Sequence, residues 1–412
     1  MAITRQQAAV LDADDELAPV RERFALPAGV IYLDGNSLGA LPRHVPARLA
    51  RAVEDEWGQG LIRSWNDAGW IDAARRTGAR IARLIGAAAD EVSVADSTSV
   101  NLFKLMVAGM RQNRGRTVLL TQHGNFPTDL YIAQSVAEML GISLRYAGPG
   151  DDALLGSLDR SVGVVALSHI DYRSGRIQPM HEICAAARAV GAFTLWDLSH
   201  SAGVTEVALD AAGADFAVGC GYKYLNGGPG APAFAFAARR HHDRLRQPLS
   251  GWLGHEQPFT FAETFAPAPG IDRLQCGTPP MLSLLALESA LDIFDGVDVA
   301  AMRAKSVALG EFFIRLVDNE LAPFGFTVVS PRDAATRGSQ VSLAHAQGFS
   351  IMQALIARGI IGDFRAPDIV RFGFAPLYVR YVDVFDAVEA AADVMRTGAW
   401  KEPRYAAPKT VT

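Results

Sequence analysis

The sequence has few cysteines and lacks long apolar runs. Its three cysteines, Cys184, Cys220 and Cys276, are an odd number and form no C-x-x-C pair. This pattern argues against a disulfide framework or a zinc site and indicates reduced, buried thiols. No run reaches the roughly 18 apolar residues that a membrane helix needs.

A net positive charge is also absent. The 39 basic and 44 acidic residues give a net charge of −5, so no global basic field attracts nucleic acid. The opening residues 1–7 contain no apolar signal core, and acidic residues follow within 12–16. With 50% hydrophobic and 20% charged residues, the 412-residue chain predicts a packed, soluble protein of the cytoplasm, long enough for two or three domains.

From Val118 onward, short apolar runs alternate with helical periods such as 129–140 and 179–190. This alternation favours an α/β domain with a mostly parallel sheet. The predicted strands are 117–121, 143–146, 162–168, 192–196, 216–219 and 233–237. Ligands of such sheets bind beyond the carboxyl ends of the strands, so the loops there should carry the chemistry.

The chain is predicted to fold in three parts. An N-terminal segment, 1–30, which is helical over 1–25, is predicted to pack on the small domain. A large domain covers 31–285, and a smaller α/β domain covers 286–412. The helical periods outside the sheet region are 43–58, 71–85, 282–294, 297–316, 350–358 and 383–396, and two further strands are predicted at 326–329 and 339–343.

Lysine is scarce: only five of the 39 basic residues are lysines, and 34 are arginines. Four lie in helical stretches or a polar tail, where solvated or snorkelling lysines are expected: Lys104, Lys305, Lys401 and Lys409. Lys223 instead follows the apolar strand 215–220, in the glycine-rich segment GYKYLNGGPG at 221–230. Glycines let the backbone approach a ligand closely, and a desolvated lysine there is nucleophilic. A surface lysine in a hairpin is an equally good interpretation of this motif alone.

A carboxylate ends the apolar run FTLWD at 193–197. Asp197 suits the N-cap of a helix. It also suits a partner that keeps a proton on a pyridine nitrogen, because a buried anion favours the cation. Each unit of raised pKa is worth about 1.4 kcal/mol, and a protonated ring is a better electron sink for a carbanion.

Hydroxyl residues lead directly into an apolar helical run in DSTSVNLF at 96–103. A helix start with Ser and Thr side chains and unpaired N–H groups can bind phosphate, although simple capping is the alternative. The order of motifs is then a helix start, a strand-end aspartate, and a lysine 26 residues later.

That order resembles the fold type I pyridoxal-phosphate enzymes, whose aspartate aminotransferase-like fold joins a large, mostly parallel sheet domain to a smaller α/β domain. YLD at 32–34 and the spacing of Asp197, His200 and Lys223 resemble the class V branch. Six motifs, spread over residues 30 to 380, resemble the kynureninase family: YLDGNSLG at 32–39, DSTSVNL at 96–102, NFPTD at 125–129, DLSHSAG at 197–203, GYKYLNGGPG at 221–230 and GWLGH at 251–255.

The resemblance implies pyridoxal 5′-phosphate as cofactor and no metal. Lys223 would bind the cofactor covalently, and Asp197 would pair with its pyridine nitrogen. Phe126 would stack on the ring, unless it is an ordinary core aromatic. The remaining cofactor contacts would come from Thr98, Ser99 and Tyr222 at the phosphate, Asp129 near the ring hydroxyl, and Ser168 and His200 along the pocket. For Asp129 the alternative is a helix cap, and for His200 a core histidine with internal partners.

The resemblance also implies a homodimer with shared active sites, in which Trp252 and Thr278 reach the phosphate of the partner subunit. Arg371, in IVRFG at 369–373, would bind the substrate carboxylate through its bidentate guanidinium fork. Trp65 and Thr278 would face the aryl ring and choose between L-kynurenine and 3-hydroxykynurenine, a choice that the sequence leaves open.

The implied activity is hydrolysis of the Cβ–Cγ bond of L-kynurenine to anthranilate and L-alanine, in tryptophan degradation and NAD biosynthesis. Lys223 would act as base at Cα, with the ring protonated opposite Asp197. Tyr222 would be a proton donor or acceptor, or only a hydrogen-bond partner of the phosphate.

Two alternatives remain. The first is another class V enzyme, a cysteine desulfurase or an aminotransferase. A desulfurase needs a late, mobile nucleophilic cysteine, and no cysteine follows Cys276, which precedes GTPP at 277–280. The second is a ligand-binding protein without turnover, which the presence of both Lys223 and Asp197 argues against.

Overall fold

The structure is a computed structural model that describes residues 3–407, so Lys409 lies outside the described residues. The strands are β1 (Ile31–Tyr32), β2 (Val92–Val94), β3 (Val118–Gln122), β4 (Ser143–Ala147), β5 (Val162–Ser168), β6 (Phe193–Asp197), β7 (Phe216–Gly219), β8 (Phe234–Ala237), β9 (Thr327–Val328), β10 (Gln340–Ala344), β11 (Ile360–Ile361), β12 (Asp363–Arg365) and β13 (Ile369–Gly373).

The α-helices are α1 (Arg5–Ala13), α2 (Val45–Arg51), α3 (Ser64–Asp67), α4 (Ala73–Leu84), α5 (Thr98–Gln112), α6 (Pro127–Leu140), α7 (Asp151–Gly156), α8 (Met180–Val190), α9 (Leu209–Ala212), α10 (Met281–Ala290), α11 (Val299–Glu320), α12 (Gly348–Ile356) and α13 (Tyr381–Thr397). A π-helical segment, Ala52–Gly60, continues α2. Within residues 3–407, none of the helices has the length and apolar character needed to cross a membrane.

The chain forms two compact units. The large unit comprises His44–Asp171 and Gln178–Asp292; the small unit comprises the chain up to Arg43, Tyr172–Ile177, and the chain from Ile293 onward. The short segment Tyr172–Ile177 joins the small unit because its backbone pairs there: Ile177 N donates to Thr336 O at 2.8 Å, and Gly338 N to Gly175 O at 2.7 Å. The sequence predicted three parts with boundaries at residues 30 and 285, whereas the two units change at Arg43 and Asp292. The three-part division stays a prediction.

The large unit is built on a seven-stranded sheet in the order β2-β8-β7-β6-β5-β3-β4. Five neighbouring strands, in the order β7-β6-β5-β3-β4, are mutually parallel. Strand β8 runs antiparallel to both of its neighbours, β2 and β7. The strands β3, β7 and β8 are buried along their whole length, as expected where both faces of a sheet are covered. This mixed, mostly parallel sheet confirms the predicted fold class.

Helix α5 packs against this sheet and supplies much of the core. Its buried Leu105, Met106 and Val107 lie in one apolar cluster with Phe216 and Val218 of β7. The apolar face of the helix therefore fixes its axis against the sheet.

The small unit contains a four-stranded antiparallel sheet in the order β12-β13-β10-β9, and a parallel pair of β1 with β11. Helix α1 belongs to the same unit. The Asp12 carboxylate of α1 accepts hydrogen bonds from Tyr381 N (2.7 Å) and Val382 N (3.0 Å), and so caps the start of α13.

Candidate active site

Three strands of the large sheet deliver predicted site residues to one edge. Ser168 ends β5, Asp197 ends β6, and Lys223 follows β7 by four residues. Ser168 lies directly opposite Asp197, and Asp197 opposite Val218 of β7. Because these strands are parallel, their carboxyl ends share one edge of the sheet, where ligands of such folds bind. Phe126 follows β3 and reaches the same group.

The Lys223 amine lies among polar and aromatic groups of this edge. Its Nζ is 2.9 Å from His200 Nε2 and 5.9 Å from the centroid of the Phe126 ring. His200 is buried, and its predicted role along the pocket stays a prediction beside the alternative of a core histidine. A primary amine in this position can attack a carbonyl and can move a proton.

Two other lysines are buried rather than solvated. Lys104 on α5 pairs with the Asp96 carboxylate, and Lys305 on α11 pairs with Asp15 at 2.6 Å. The prediction of solvated or snorkelling side chains at these two positions is therefore wrong. Each lysine sits on a buried helix face, where only a carboxylate partner makes the charge tolerable.

Two buried carboxyl groups interact electrostatically with the Lys223 amine. Burial raises the pKa of Asp129 well above its usual value, and the charge of Asp197 adds to the effect, while Ser168 and Lys223 act against it. Burial also raises the pKa of Asp197, against a hydrogen bond from Ser199 and the charge of Lys223. Ser199 N donates to Asp197 Oδ1 at 2.8 Å. If both carboxyl groups are ionised, they carry two negative charges, and the single positive charge of Lys223 neutralises only one of them.

Ser168, at the end of β5, forms hydrogen bonds with two residues that follow β3: Asp129 at the start of α6 and Asn125 in the loop before it. Ser168 Oγ donates to Asp129 Oδ2 at 3.3 Å, and Ser168 N donates to Asn125 Oδ1 at 3.1 Å. Asn125 and Ser199 are contacts that the sequence interpretation missed. Ser199 stands two residues after an aspartate, the usual spacing of an Asx turn, which was an available signal. Asn125 lies in the motif NFPTD at 125–129, but its spacing in the sequence did not indicate Ser168 as its hydrogen-bond partner.

The predicted phosphate-binding segment is the first turn of α5. Ser97 is the N-cap, and its Oγ accepts from Val100 N at 3.3 Å. Thr98 and Ser99 are the first two helical residues and are half-buried. Their N–H groups belong to the first turn, which has no partners within a helix and carries the positive end of its dipole.

Tyr222, next to Lys223, is half-buried. Burial, followed by the neighbouring charges of Cys220 and Asp197, raises the pKa of its phenol above the usual value. The hydroxyl therefore stays protonated at neutral pH and is a hydrogen-bond donor.

The large unit also contains an aromatic cluster. The Trp65 ring contacts Trp252 at 6.5 Å between centroids and Trp70 at 6.2 Å. Trp65 and Trp70 line a cavity of about 290 Å³ together with Ile71, Leu253, His255 and Phe259. Thr278 is exposed. The predicted roles of Trp65, Trp252 and Thr278 stay predictions.

Arg371 lies on β13 in the small unit and is almost fully buried. Its Nε donates to Asp363 Oδ1 at 2.7 Å, its Nη2 pairs with Asp363 Oδ2, and its Nη1 donates to Tyr172 O. Although burial acts to raise it, these contacts with Arg371 hold the pKa of Asp363 below its usual value. The Nε–Nη2 edge of the guanidinium is thus taken by Asp363, a partner that the sequence did not indicate.

The donor set of the large unit fits pyridoxal phosphate. Two buried acids stand beside one amine, and a protonated pyridine nitrogen would supply the missing positive charge. Phe126 offers a ring near Lys223, and the first turn of α5 offers N–H donors for a phosphate. Among residues 3–407, no group of His, Cys, Asp and Glu has an arrangement that could hold a metal ion.

Comparison with known proteins gives a consistent result. Residues 302–391 match the family model described as the kynureninase C-terminal domain. The chain is 50% identical to a protein named kynureninase from Burkholderia mallei, over 99% of this chain and 100% of that protein. It is 47% identical to a kynureninase from Pseudomonas fluorescens, over 99% of this chain and 100% of that protein.

Solved structures share the fold at lower identity. A variant of C-DES, with glycine covalently linked to its pyridoxal-phosphate cofactor, matches with a TM-score of 0.80 and 18% identity, over 90% of this chain and 99% of that one. The cysteine desulfurase CsdA from Escherichia coli matches with a TM-score of 0.76 and 19% identity, over 93% and 98%. At such identities the likeness establishes the fold alone.

Proposed function

The chain belongs to the kynureninase family, and from this premise we propose that it is a pyridoxal-phosphate-dependent hydrolase that cleaves L-kynurenine to anthranilate and L-alanine. The single observation that carries the chemistry is the meeting of the Lys223 amine, the Asp197 carboxylate and the Phe126 ring at one edge of the large sheet. The choice of an aryl-ketone substrate rests on the full-length similarity to proteins named kynureninase.

The side chains of the large unit would hold the cofactor. Lys223 would bind it covalently, Asp197 would keep its pyridine nitrogen protonated, and Phe126 would stack on its ring. Thr98, Ser99 and Tyr222 would donate hydrogen bonds to the phosphate, and Ser168 and His200 would line the pocket with Asp129. When bound, the cofactor would withdraw electrons from a carbanion at the substrate Cα.

Lys223 and Tyr222 would move the protons. The Lys223 Nζ would remove the proton at the substrate Cα and would deliver a proton there when alanine forms, so the amine must lie within reach of that carbon. Tyr222, protonated at neutral pH, would donate a hydrogen bond to the phosphate or to a reacting oxygen. Water added at the substrate γ-carbonyl would supply the second oxygen of the anthranilate carboxylate. The electron pair of the broken Cβ–Cγ bond would stay on Cβ, which takes up a proton to become the methyl group of alanine.

Substrate recognition would depend on a cation and on aromatic rings. Arg371 would bind the substrate carboxylate, and Asp363, which accepts hydrogen bonds from its Nε and Nη2, sets the orientation of its guanidinium group. Trp65 and Thr278 would face the aryl ring and influence the choice between L-kynurenine and 3-hydroxykynurenine. The aromatic lining beside Trp65 supports an aryl-binding role.

A homodimer is part of the proposal, with Trp252 and Thr278 reaching the phosphate of the partner subunit. Several large apolar side chains of the large unit are exposed. They include Leu61 and Ile62, shortly before Trp65 in the chain, and Phe259 and Phe261, of which Phe259 contacts the Trp252 ring. Exposed large apolar side chains of this kind support a protein–protein contact.

A cytoplasmic location and a role in tryptophan degradation and NAD biosynthesis complete the proposal. Cys184, Cys220 and Cys276 are all free thiols, which suits a reducing compartment.

The desulfurase alternative is not favoured. Cys276 is half-buried and donates to Leu249 O at 2.8 Å, and it precedes the exposed Thr278. The fold is shared with a cysteine desulfurase, but the full-length similarity is to kynureninases.

A product assay tests the proposed function. With pyridoxal phosphate supplied, L-kynurenine should yield fluorescent anthranilate and an equal amount of alanine. Release of sulfide and alanine from L-cysteine, with no anthranilate from kynurenine, would identify a desulfurase instead. Transfer of an amino group to a 2-oxo acid, with neither cleavage, would identify an aminotransferase.

A further inference from the structure

Lys104 is a buried charge that none of the roles above involves. It lies on α5 and is fully buried, where its Nζ pairs with the Asp96 carboxylate and donates to Leu274 O at 2.7 Å. A buried ammonium group is costly to desolvate, and an apolar side chain of similar size often serves stability as well or better. The charge therefore calls for a purpose other than packing.

Its partner, Asp96, occupies a strained turn immediately before α5. The backbone φ of Asp96 is 51°, a left-handed conformation that few residues other than glycine, asparagine and aspartate adopt. The turn is held on both sides by Ala233, because Ala233 N donates to Asp96 O at 2.9 Å and Ala95 N donates to Ala233 O at 3.0 Å. The carboxylate is thus fixed beside the helix start.

This position creates an electrostatic conflict with a bound phosphate. Two residues span about 7 Å of chain, so the Asp96 carboxylate lies within roughly one Debye length of Thr98 at physiological salt. The positive end of α5 attracts a phosphate dianion, and an unneutralised carboxylate at this distance repels it.

We propose that Lys104 is a positioning residue for the cofactor phosphate, acting through Asp96. Its ammonium group cancels the charge of the Asp96 carboxylate and holds the turn in the shape that directs the N–H groups of Thr98 and Ser99 outward. Through Leu274, the same ammonium group also anchors the segment that leads to Thr278. The proposal rests on the proposed binding of pyridoxal phosphate at this helix start.

The proposal is tested by removing the Lys104 charge and the Asp96 charge separately, because the two changes should affect the binding of pyridoxal phosphate differently. Full-length protein freed of cofactor is titrated with pyridoxal phosphate and, separately, with pyridoxal, which lacks the phosphate. Lys104→Met should raise the dissociation constant of pyridoxal phosphate on the order of tenfold and leave that of pyridoxal unchanged. Asp96→Asn, which suits the left-handed turn, should leave pyridoxal phosphate bound at least as tightly as in the wild type. The double variant should recover most of the affinity that Lys104→Met loses.

Lys305→Met is the matched control, since Lys305 is also buried and paired with a carboxylate, Asp15. It should change stability without changing the ratio of the two dissociation constants. An unchanged ratio in Lys104→Met, or equal losses for both ligands in both variants, would overturn the role of Lys104. If Lys104→Met does not fold, Asp96→Asn decides, because weaker binding of pyridoxal phosphate relative to pyridoxal overturns the proposal and equal or tighter binding supports it. Failure of the wild type to bind either ligand would instead overturn the proposed function, and this role with it.

Discussion

At the residue scale, Lys223 differs from the two buried lysines, Lys104 and Lys305, in the groups that its amine contacts. Lys104 and Lys305 are held by carboxylates in the core, whereas the Lys223 Nζ lies near His200 and the Phe126 ring. We expect borohydride reduction of the purified protein, followed by peptide mapping, to label Lys223 with the cofactor. Label on Lys104 or Lys305 would contradict the site assignment, and Lys223→Ala should abolish the labelling.

Asp197 tests the electron-sink role of the cofactor ring. Asp197→Ala should keep the fold, because Ser199 N loses only one hydrogen-bond acceptor, but it should lower kcat by roughly 100-fold or more. The reason is that a neutral pyridine nitrogen withdraws electrons less well. The measurement is kcat with saturating cofactor, alongside the absorbance of bound cofactor. Near-normal kcat in a variant that retains cofactor would show that Asp197 only shapes the turn.

Asp34, in the small unit, should make stability depend on pH. Burial and the charge of Asp363 raise the pKa of Asp34 to about 7 from the ordinary 3.8. The native state therefore binds more protons than the unfolded state between about pH 4 and pH 7, and the free energy of unfolding falls as pH rises through that window. The loss can reach ~1.4 kcal/mol per pH unit.

The Asp34→Asn variant should flatten this dependence when thermal midpoints are measured at pH 4.5, 6 and 8. Asp318→Asn is the control, because Asp318 has its pKa lowered by Arg332 and acts at more acidic pH. Parallel pH profiles of the Asp34→Asn variant and the wild type would exclude Asp34 as the titrating group.

At the scale of elements, the loop after β7 depends on a glycine. A Cβ at Gly221 would lie 2.4 Å from Pro232 O and 2.8 Å from Leu287 Cδ2, so the backbone two residues before Lys223 would have to move. We expect Gly221→Ala to destabilise the protein by about 1–3 kcal/mol and to lower cofactor occupancy. Gly156→Ala, where nothing lies within 4 Å, is the control. Equal thermal midpoints and equal occupancy in the two variants would show that the loop tolerates the shift.

Apolar strands were the most predictable elements. The predicted 162–168 and 216–219 coincide with β5 and β7, since long apolar runs fit buried parallel strands. β2 was missed because three residues carry too little periodicity, and the helix predicted at 43–58 changes to a π-helix after Arg51, which the apolar pattern does not encode.

Candidate site residues could be predicted where the residue type and its local motif together indicate a reaction. They could not be predicted where a residue acts through a partner that is distant in the sequence. A lone lysine in a glycine-rich loop and an aspartate at a strand end carry such meaning. The pairing of Asn125 with Ser168 crosses 43 residues, and Asp363 is one of many acids. These contacts are set by sheet register and burial rather than by local pattern.

At the scale of the whole molecule, fold and reaction are decided by different observations. The same fold, at 18–19% identity, includes C-DES and a cysteine desulfurase. Identity of 47–50% over the full length to proteins named kynureninase is what separates this chain from them. The cofactor chemistry that we propose for Lys223 and Asp197 is compatible with this shared fold, and we expect the substrate to be set by the residues around them.

The dimer is the prediction that belongs to this scale. If Trp252 and Thr278 complete the partner's phosphate site, dissociation to monomers should release cofactor. Ile62, three residues before Trp65, is 77% exposed, so Ile62→Asp should be tolerated by an isolated chain but should break an apolar contact between subunits. We expect this variant to sediment as a monomer with weakened cofactor binding. Met139→Asp, at an exposed position on α6, should remain dimeric and serves as the control. A wild-type monomer with full activity, measured by sedimentation and assay at equal concentration, would contradict the shared site.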